Sequence, residues 1–154
     1  MKPLKVAIGF ATGRKGFQDV LKSYVYHLKE SELLRRQDIE LHLFVAYDLG
    51  YNHTTVEDYT QLEPSVANAF ETCTFLGKDD ILHMARALCD KGVIEKEEVP
   101  ICFGNGYAAQ RNAVLYSAMT QKMDQLLFLD DDEYPLAVTE SKNYLLWSGQ
   151  HVLE

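Results

Sequence analysis

Residues 126–135 read LLFLDDDEYP. The apolar run 126–129 is short and rich in Leu and Phe, as in a buried strand of a parallel sheet. Four acidic residues, 130–133, follow it directly. Like charges about 4 Å apart repel by roughly 1 kcal/mol in water and by several at a protein surface. We therefore expect a cationic partner where the strand ends.

The composition is that of one globular domain. The chain has 154 residues, 47% of them apolar and 25% charged, which is enough for a sizeable core. Its net charge of −8 argues against nucleic acid or an anionic membrane as a partner, since both bind basic surfaces. No apolar stretch is long enough for a signal peptide or a transmembrane segment. The 3 cysteines lack CxxC spacing, which predicts reduced thiols and a cytoplasmic location.

Strands and helices alternate along the chain. Compact apolar runs predict strands at 5–10, 40–47, 100–103 and 125–129. Helical spacing predicts helices at 17–30, around 81–88 and at about 107–122, the second with Asp79 or Asp80 as its cap and Gly92 as its end. Residues 52–78 are predicted to be loop with a short helix, and 138–152 are compatible with a pair of strands. This order predicts a single α/β domain over residues 1–154, with a Rossmann-like, mostly parallel sheet flanked by helices.

Polar segments follow the predicted strands and should meet at one edge of the sheet. Parallel strands all end on the same side, and open α/β sheets bind ligands outside those carboxyl ends. The converging segments are 11–15, 48–53, 104–111 and the acids 130–133. They bring Arg14, Lys15 and Arg111 to the same edge as the acids. Carboxylate oxygens there are hard ligands that suit Mg²⁺ or Mn²⁺, which proteins commonly hold with one or two aspartates and a substrate phosphate.

Two motifs carry a resemblance to a known family. GYAAQRN (106–112), the helix of small residues after it, and LLFLDDDEYP (126–135) together resemble the glycosyltransferases of the GT-A fold, family 2 in particular. The resemblance covers about residues 100–135. It implies a nucleoside diphosphate sugar as the donor, a divalent metal held by a D-x-D motif, and transfer of the sugar to an unknown acceptor.

The resemblance also implies which residues bind the donor. Asp132 would ligate the metal on the diphosphate, together with Asp130, which would also lie near the ribose or base. The acid after the second strand would contact the nucleobase, and the loop after the first strand would line the nucleotide pocket. The nucleotide-sugar-binding residues implied in this way are Ala11, Thr12, Asp48, Arg111, Asp130 and Asp131. The catalytic residues stay unassigned.

The chain departs from the family pattern in three respects. Its first strand ends GFATGR (9–14) instead of a Pro-Thr-Tyr-Asn type of sequence, and LGYNHT (49–54) replaces the usual Asp-Gly-Ser. Only about twenty residues follow the D-x-D motif, whereas the family usually continues into an acceptor-binding half that holds the catalytic base. We therefore expect a donor-binding part without that half. A shortened sheet would leave an open edge, which favours a homodimer.

Three other interpretations stay open. Gly104-x-Gly106-x-x-Ala109 satisfies the G-x-G-x-x-A fingerprint between a predicted strand and a helix, which makes an NAD(P)-binding Rossmann module an alternative. Phosphatases of the haloacid dehalogenase type also use D-x-D after an apolar strand, although Glu133 and Tyr134 do not fit the rest of their pattern. The third alternative is a non-catalytic fragment that binds a nucleotide or a metal.

Overall fold

The computed structural model describes residues 2–141 and 144–149. The strands in this part of the chain are β1 (Leu4–Thr12), β2 (Ile39–Tyr47), β3 (Thr72–Leu76), β4 (Gln125–Leu129), β5 (Leu136–Ser141) and β6 (Tyr144–Gly149). The α-helices are α1 (Phe17–Glu30), α2 (Glu57–Thr60), α3 (Pro64–Ala67), α4 (Lys78–Asp90), α5 (Val99–Phe103) and α6 (Tyr107–Thr120). None of these helices has both the length and the apolar character that a membrane span requires.

Within the described residues, four strands form an all-parallel sheet in the order β3-β2-β1-β4. Strand β1 is central, so that Val6 lies beside Leu41 of β2 and Gln125 of β4. The chain places β2 and β3 on one side of β1 and β4 on the other side. The switch point, where open α/β sheets bind ligands, therefore lies between β1 and β4. Strands β5 and β6 pair antiparallel in a separate two-stranded sheet.

Helices cover both faces of the parallel sheet. Successive side chains of a strand point to opposite faces, so Ile8 and Phe10 pack against α1, whereas Ala7 faces α4 and α6. Gly9 lies on the second face, where an added Cβ atom would sit 2.8 Å from Cγ1 of Val114. Glycine at this position therefore allows α6 to approach β1 closely. The result is an α/β fold, as the alternation of elements in the sequence predicts.

Most of the predicted elements are confirmed. Helix α1 and strands β1, β2 and β4 match the predicted positions to within two residues at either end. Asp80 accepts a hydrogen bond from the N–H of Gly77 at 2.9 Å and so caps the start of α4. Gly92 follows that helix with a left-handed φ of 65°, the conformation expected where a helix ends. The predicted pair of strands is confirmed as β5 and β6, while residues 150–152 lie outside the described residues.

The predicted strand at 100–103 is wrong, because this segment belongs to helix α5. Pro100 lies in the first turn of α5, where the missing N–H has no partner to lose and the fixed φ suits a helix. The remaining strand of the sheet is β3, inside the segment 52–78 that is predicted to be loop with one short helix. Among the described residues, strand β3 is an edge strand that pairs with β2 alone, and its alternation of Thr with Cys and Phe gives no continuous apolar run.

The same correction removes the structural context of the dinucleotide fingerprint. A G-x-G-x-x-A turn binds pyrophosphate when it connects a strand to a helix. Here Gly104–Ala109 connects α5 to α6, so a helix precedes the glycine turn. The NAD(P)-binding alternative therefore loses the strand on which it depends.

His42 in β2 predicts a dependence of stability on pH. Its Nδ1 atom lies 2.8 Å from the Thr72 hydroxyl, while Nε2 is buried without a hydrogen-bond partner among the described residues. Burial, followed by the charge of Lys5, lowers the pKa of His42 below 6.5, and the charges of Glu40 and Glu71 oppose this shift. The unfolded chain thus binds the proton more readily, and stability should fall as the pH drops below about 6.5, by at most about 1.4 kcal/mol per pH unit.

Thermal unfolding at pH 7.5 and pH 5.5 measures this effect. We expect the melting temperature to fall less on acidification in the His42→Gln variant than in the unmodified protein. His83→Gln is the matched control, because His83 is exposed on α4. An equal fall in all three proteins would assign the acid sensitivity to other groups.

Candidate functional site

The predicted site residues lie together at the carboxyl edge of the sheet. Thr12 ends β1, Asp48 follows β2, and Asp130 to Asp132 follow β4. The N–H of Asp48 donates to the carbonyl oxygen of Thr12 at 2.9 Å, which ties the first two loops together. The segment 104–111 also reaches this edge, as predicted, but it does so at the start of α6 and not after a strand.

Asp131 is the buried acid of the cluster, with 4% of its side chain exposed. Its Oδ2 atom accepts a hydrogen bond of 2.7 Å from the hydroxyl of Thr12, and its Oδ1 atom lies 3.4 Å from Nε of Arg14. The Thr12 hydroxyl in turn accepts a hydrogen bond from the N–H of Arg14 at 3.2 Å. Asp131 therefore joins the ends of β1 and β4 across the switch point of the sheet.

Arg14 is the cation that connects two of the acids. Besides Asp131, its guanidinium contacts Oδ2 of Asp132 through Nη2 at 3.0 Å. The hydroxyl of Tyr107 and the charges of Asp131 and Asp132, in that order, raise the pKa of Arg14 above its ordinary value. Asp132 itself is half exposed, with 51% of its side chain accessible. Its carboxylate thus stays open to a ligand while Arg14 fixes its orientation.

Asp130 pairs with a second arginine, Arg111. Nη2 of Arg111 donates to Oδ1 of Asp130, and the guanidinium carbon lies 5.4 Å from the ring centroid of Phe128. A guanidinium at that distance from a ring centroid is within the range of a cation–π interaction. Arg111 therefore connects the first turns of α6 to the acids. The protein itself thus supplies two cationic partners of the acid cluster, Arg14 and Arg111.

A pocket of about 700 Å³ opens at the same edge of the sheet, and the acids 130–133 are not among its lining residues. Its volume lies within the range of roughly 300–1,000 Å³ that small-molecule sites occupy. The walls come from the loop after β2, the start of α4 and the turn before α6. Tyr51 lines this pocket and packs so closely on Gly13 that a Cβ there would lie 2.8 Å from the Cβ of Tyr51. The Tyr51 ring also meets the ring of Tyr107 edge to face, with centroids 6.3 Å apart.

Two predicted residues occupy less direct positions. Asp48 lines the pocket, yet its Oδ1 atom accepts a hydrogen bond from the N–H of Gly50 at 2.8 Å and so shapes the turn after β2. Ala11 is buried inside β1 beside Ala46 and is not among the residues that line the pocket. The structure thus groups Thr12, Arg111 and the three aspartates, with Asp48 at the neighbouring pocket.

The acids suit a metal that is shared with a ligand. Among residues 2–141 and 144–149, no three His, Cys, Asp or Glu side chains are grouped so as to hold a metal ion. Mg²⁺ is commonly bound by one or two carboxylates, with substrate phosphates and water completing its octahedral shell. The half-exposed oxygens of Asp130 and Asp132 are hard donors of this kind. Each of them is also paired with an arginine, Asp130 with Arg111 and Asp132 with Arg14.

Several residues of the site escaped the sequence-based prediction. The sequence presents Arg14 only as one cation of the loop 11–15, because no local pattern indicates that it contacts Asp131 and Asp132. Tyr51, which lines the pocket, belongs to none of the motifs identified in the sequence. The spacing of Gln110 does indicate burial, because it lies on the same helix face as Ala113, Val114 and Ser117, all of them buried. A polar residue on such an apolar face is unusual and indicates a local role.

The fold and the site define an α/β protein with an arginine-paired acid cluster and a ligand-sized pocket, both at the carboxyl edge of a parallel sheet. No protein-family model, curated protein or solved structure matches the chain. Its function is therefore inferred from the residues of the site.

Proposed function

We propose that this chain is the donor-binding part of a GT-A-like glycosyltransferase, which binds a nucleoside diphosphate sugar through Mg²⁺ or Mn²⁺ and transfers the sugar to an acceptor. One observation carries the proposal. The half-exposed acids Asp130 and Asp132 flank a buried Asp131 at the switch point, at the same edge of the sheet as a pocket of about 700 Å³. A nucleotide sugar has the matching division into a nucleoside, a diphosphate and a sugar.

The charges of the cluster explain why a metal would be needed. The acids 130–133 supply four carboxylates, and Arg14 and Arg111 supply the two guanidinium groups in contact with them. The cluster therefore keeps an excess of negative charge that repels a diphosphate. Repulsion between unit charges amounts to several kcal/mol at contact distance near a protein surface. A divalent cation between Asp132, Asp130 and the diphosphate would turn this repulsion into attraction.

The residues of the chain would act chiefly by binding and orienting the donor. Arg14 and Arg111 would turn from the acids towards the diphosphate as the metal neutralises the carboxylates. Asp131, held by Thr12, would keep the two metal-binding acids in place. The bound metal ion would stabilise the negative charge that develops on the departing diphosphate.

The positions of the family-like motifs support this proposal. In GYAAQRN, the Arg111 side chain contacts Asp130, and Nδ2 of Asn112 donates to the carbonyl oxygen of Cys102 at 2.9 Å. These two residues connect α6 to the acid loop and to α5. The motif and the D-x-D sequence are thus parts of one site, although they lie about twenty residues apart in the chain.

Calorimetric titration tests the proposal. UDP, GDP, ADP and NAD⁺ are each titrated into the protein with Mn²⁺ and, separately, with a chelator. We expect Mn²⁺-dependent binding of one nucleoside diphosphate, which would also identify the base. Metal-independent binding of NAD⁺ would favour the dinucleotide alternative instead. If no diphosphate binds with Mn²⁺, the acids are a surface feature and the proposal fails.

Arg111→Ala should weaken binding of the diphosphate much more than binding of the nucleoside. Loss of a charge-assisted hydrogen bond commonly costs about 1.5–3 kcal/mol, so we expect affinity for the diphosphate to fall about tenfold or more in the presence of Mn²⁺. Affinity for the nucleoside alone should change by less than about twofold. Arg86→Ala on α4 is the control, as its side chain is also exposed. Equal losses for both ligands would indicate that Arg111 supports the fold and not the phosphate.

A further inference from the structure

Gln110 is a polar side chain buried on a helix face that otherwise carries small and apolar residues. Only 6% of it is exposed. Its neighbours on that face, Ala113 and Val114, are fully buried against the sheet. Among the described side chains its carboxamide makes no hydrogen bond, and it is not one of the fully enclosed unpaired groups, so it opens onto the pocket whose wall it forms. A carboxamide that opens onto a pocket is free to hydrogen-bond a ligand there.

The pocket around Gln110 favours an uncharged ligand group. Its charged wall residues are Asp48, Asp79, Asp80 and Lys78, an excess of acids that disfavours a phosphate inside the pocket. Apolar side chains such as Ile81 and Phe103 complete the wall. The two arginines of the site lie outside it, against the acids 130–132. A ligand with one uncharged and one anionic end would therefore enter with its uncharged end towards Gln110.

We propose that Gln110 is a specificity-determining residue whose carboxamide hydrogen-bonds to the edge of the nucleobase. This inference deepens the proposed function and rests on it for the identity of the ligand as a nucleotide. A carboxamide presents a donor and an acceptor side by side. Nucleobases present the complementary pair on their hydrogen-bonding edges, which makes a two-bond contact possible. A site that hydrogen-bonds a ligand group discriminates strongly against ligands without it.

The binding test uses nucleosides without phosphate and without metal. Uridine, guanosine, adenosine and cytidine are titrated in the presence of a chelator into the unmodified protein and the Gln110→Met variant. Met has nearly the same length as Gln but offers no hydrogen-bonding pair. We expect one nucleoside to bind the unmodified protein and to bind the variant at least tenfold more weakly. Gln121→Met, directly after the same helix, is the control, since the Gln121 amide already donates hydrogen bonds to the hydroxyls of Thr74 and Ser117.

Thermal unfolding separates recognition from a structural role. The melting temperature of Gln110→Met should stay close to that of the unmodified protein, because Met has a similar shape and no hydrogen bond to a described side chain is lost. A lower melting temperature with unchanged nucleoside affinity would overturn the inference. So would the absence of binding by all four nucleosides, or equal affinity of one of them for both proteins.

The inference and the proposed function fail in different experiments. Nucleoside affinity in chelator reports on Gln110 alone, whereas the gain in affinity from diphosphate and Mn²⁺ reports on the acid cluster. A nucleoside that binds through Gln110 without any Mn²⁺-dependent gain would support the inference and contradict the metal-dependent donor site. Mn²⁺-dependent diphosphate binding with the same affinity in Gln110→Met and in the unmodified protein would support the metal-dependent donor site and contradict the inference.

Discussion

Replacing Asp132 by Asn should abolish the metal dependence of nucleotide binding. Affinity for the diphosphate should become the same with Mn²⁺ as with chelator, because an amide is a far weaker ligand for a hard cation than a carboxylate. The fold should remain intact. Asp132 is half exposed and its contact with Arg14 is a surface ion pair, which is worth no more than about 1 kcal/mol. Titration calorimetry and thermal unfolding of the same preparation measure both expectations.

Glu133→Gln is the matched control for this experiment. It removes one negative charge from the neighbouring position, which is also exposed, without touching the D-x-D motif. If the loss of Mn²⁺-dependent affinity followed from net charge alone, Asp132→Asn and Glu133→Gln would bind the diphosphate equally. We expect Glu133→Gln to keep most of its Mn²⁺-dependent affinity. Retention of full metal dependence in Asp132→Asn would remove Asp132 from the metal site.

The sequence predicts three strands of the parallel sheet well and the fourth, β3, poorly. Strands β1, β2 and β4 contain compact apolar runs, because helices cover both faces of the sheet. Strand β3 alternates threonine with apolar residues, so it lacks such a run and its local pattern is a weak guide. The segment 100–103 is apolar enough for a strand, but the proline at its start suits the first turn of a helix equally well. Local sequence does not distinguish the two, because the outcome depends on which segments pair in the sheet.

The position of the site is predictable from topology, whereas its internal contacts are not. Loops that follow parallel strands must share one edge, which places 11–15 next to 130–133 without knowledge of any side chain. Which acid of three becomes buried depends on a hydroxyl 119 residues away, that of Thr12. The partnership of Arg14 with Asp131 and Asp132 is equally long-range. Pairings of this kind leave no periodicity in the sequence.

Thr12 and Asp131 should prove strongly coupled in a double-mutant cycle. Thr12→Val keeps the shape of the side chain but leaves the buried carboxylate one donor short, at a cost of about 2 kcal/mol. Asp131→Ala leaves the fully buried Thr12 hydroxyl without its acceptor and should cost about 2–3 kcal/mol. The double variant removes both partners together. Its loss should therefore be about 2 kcal/mol smaller than the combined single losses.

Denaturant unfolding of the four proteins measures this coupling, and nucleotide titration gives its functional meaning. If Asp131 holds Asp130 and Asp132 in place, Thr12→Val should also weaken Mn²⁺-dependent diphosphate binding, although Thr12 itself would not touch the metal. Affinity for the nucleoside alone should change much less. Additive stability losses would mean that the hydrogen bond between Thr12 and Asp131 does not join the two strand ends. Unchanged diphosphate affinity with a large stability loss would limit Asp131 to the fold, and the acids on either side of it would then be oriented by Arg14 and Arg111 alone.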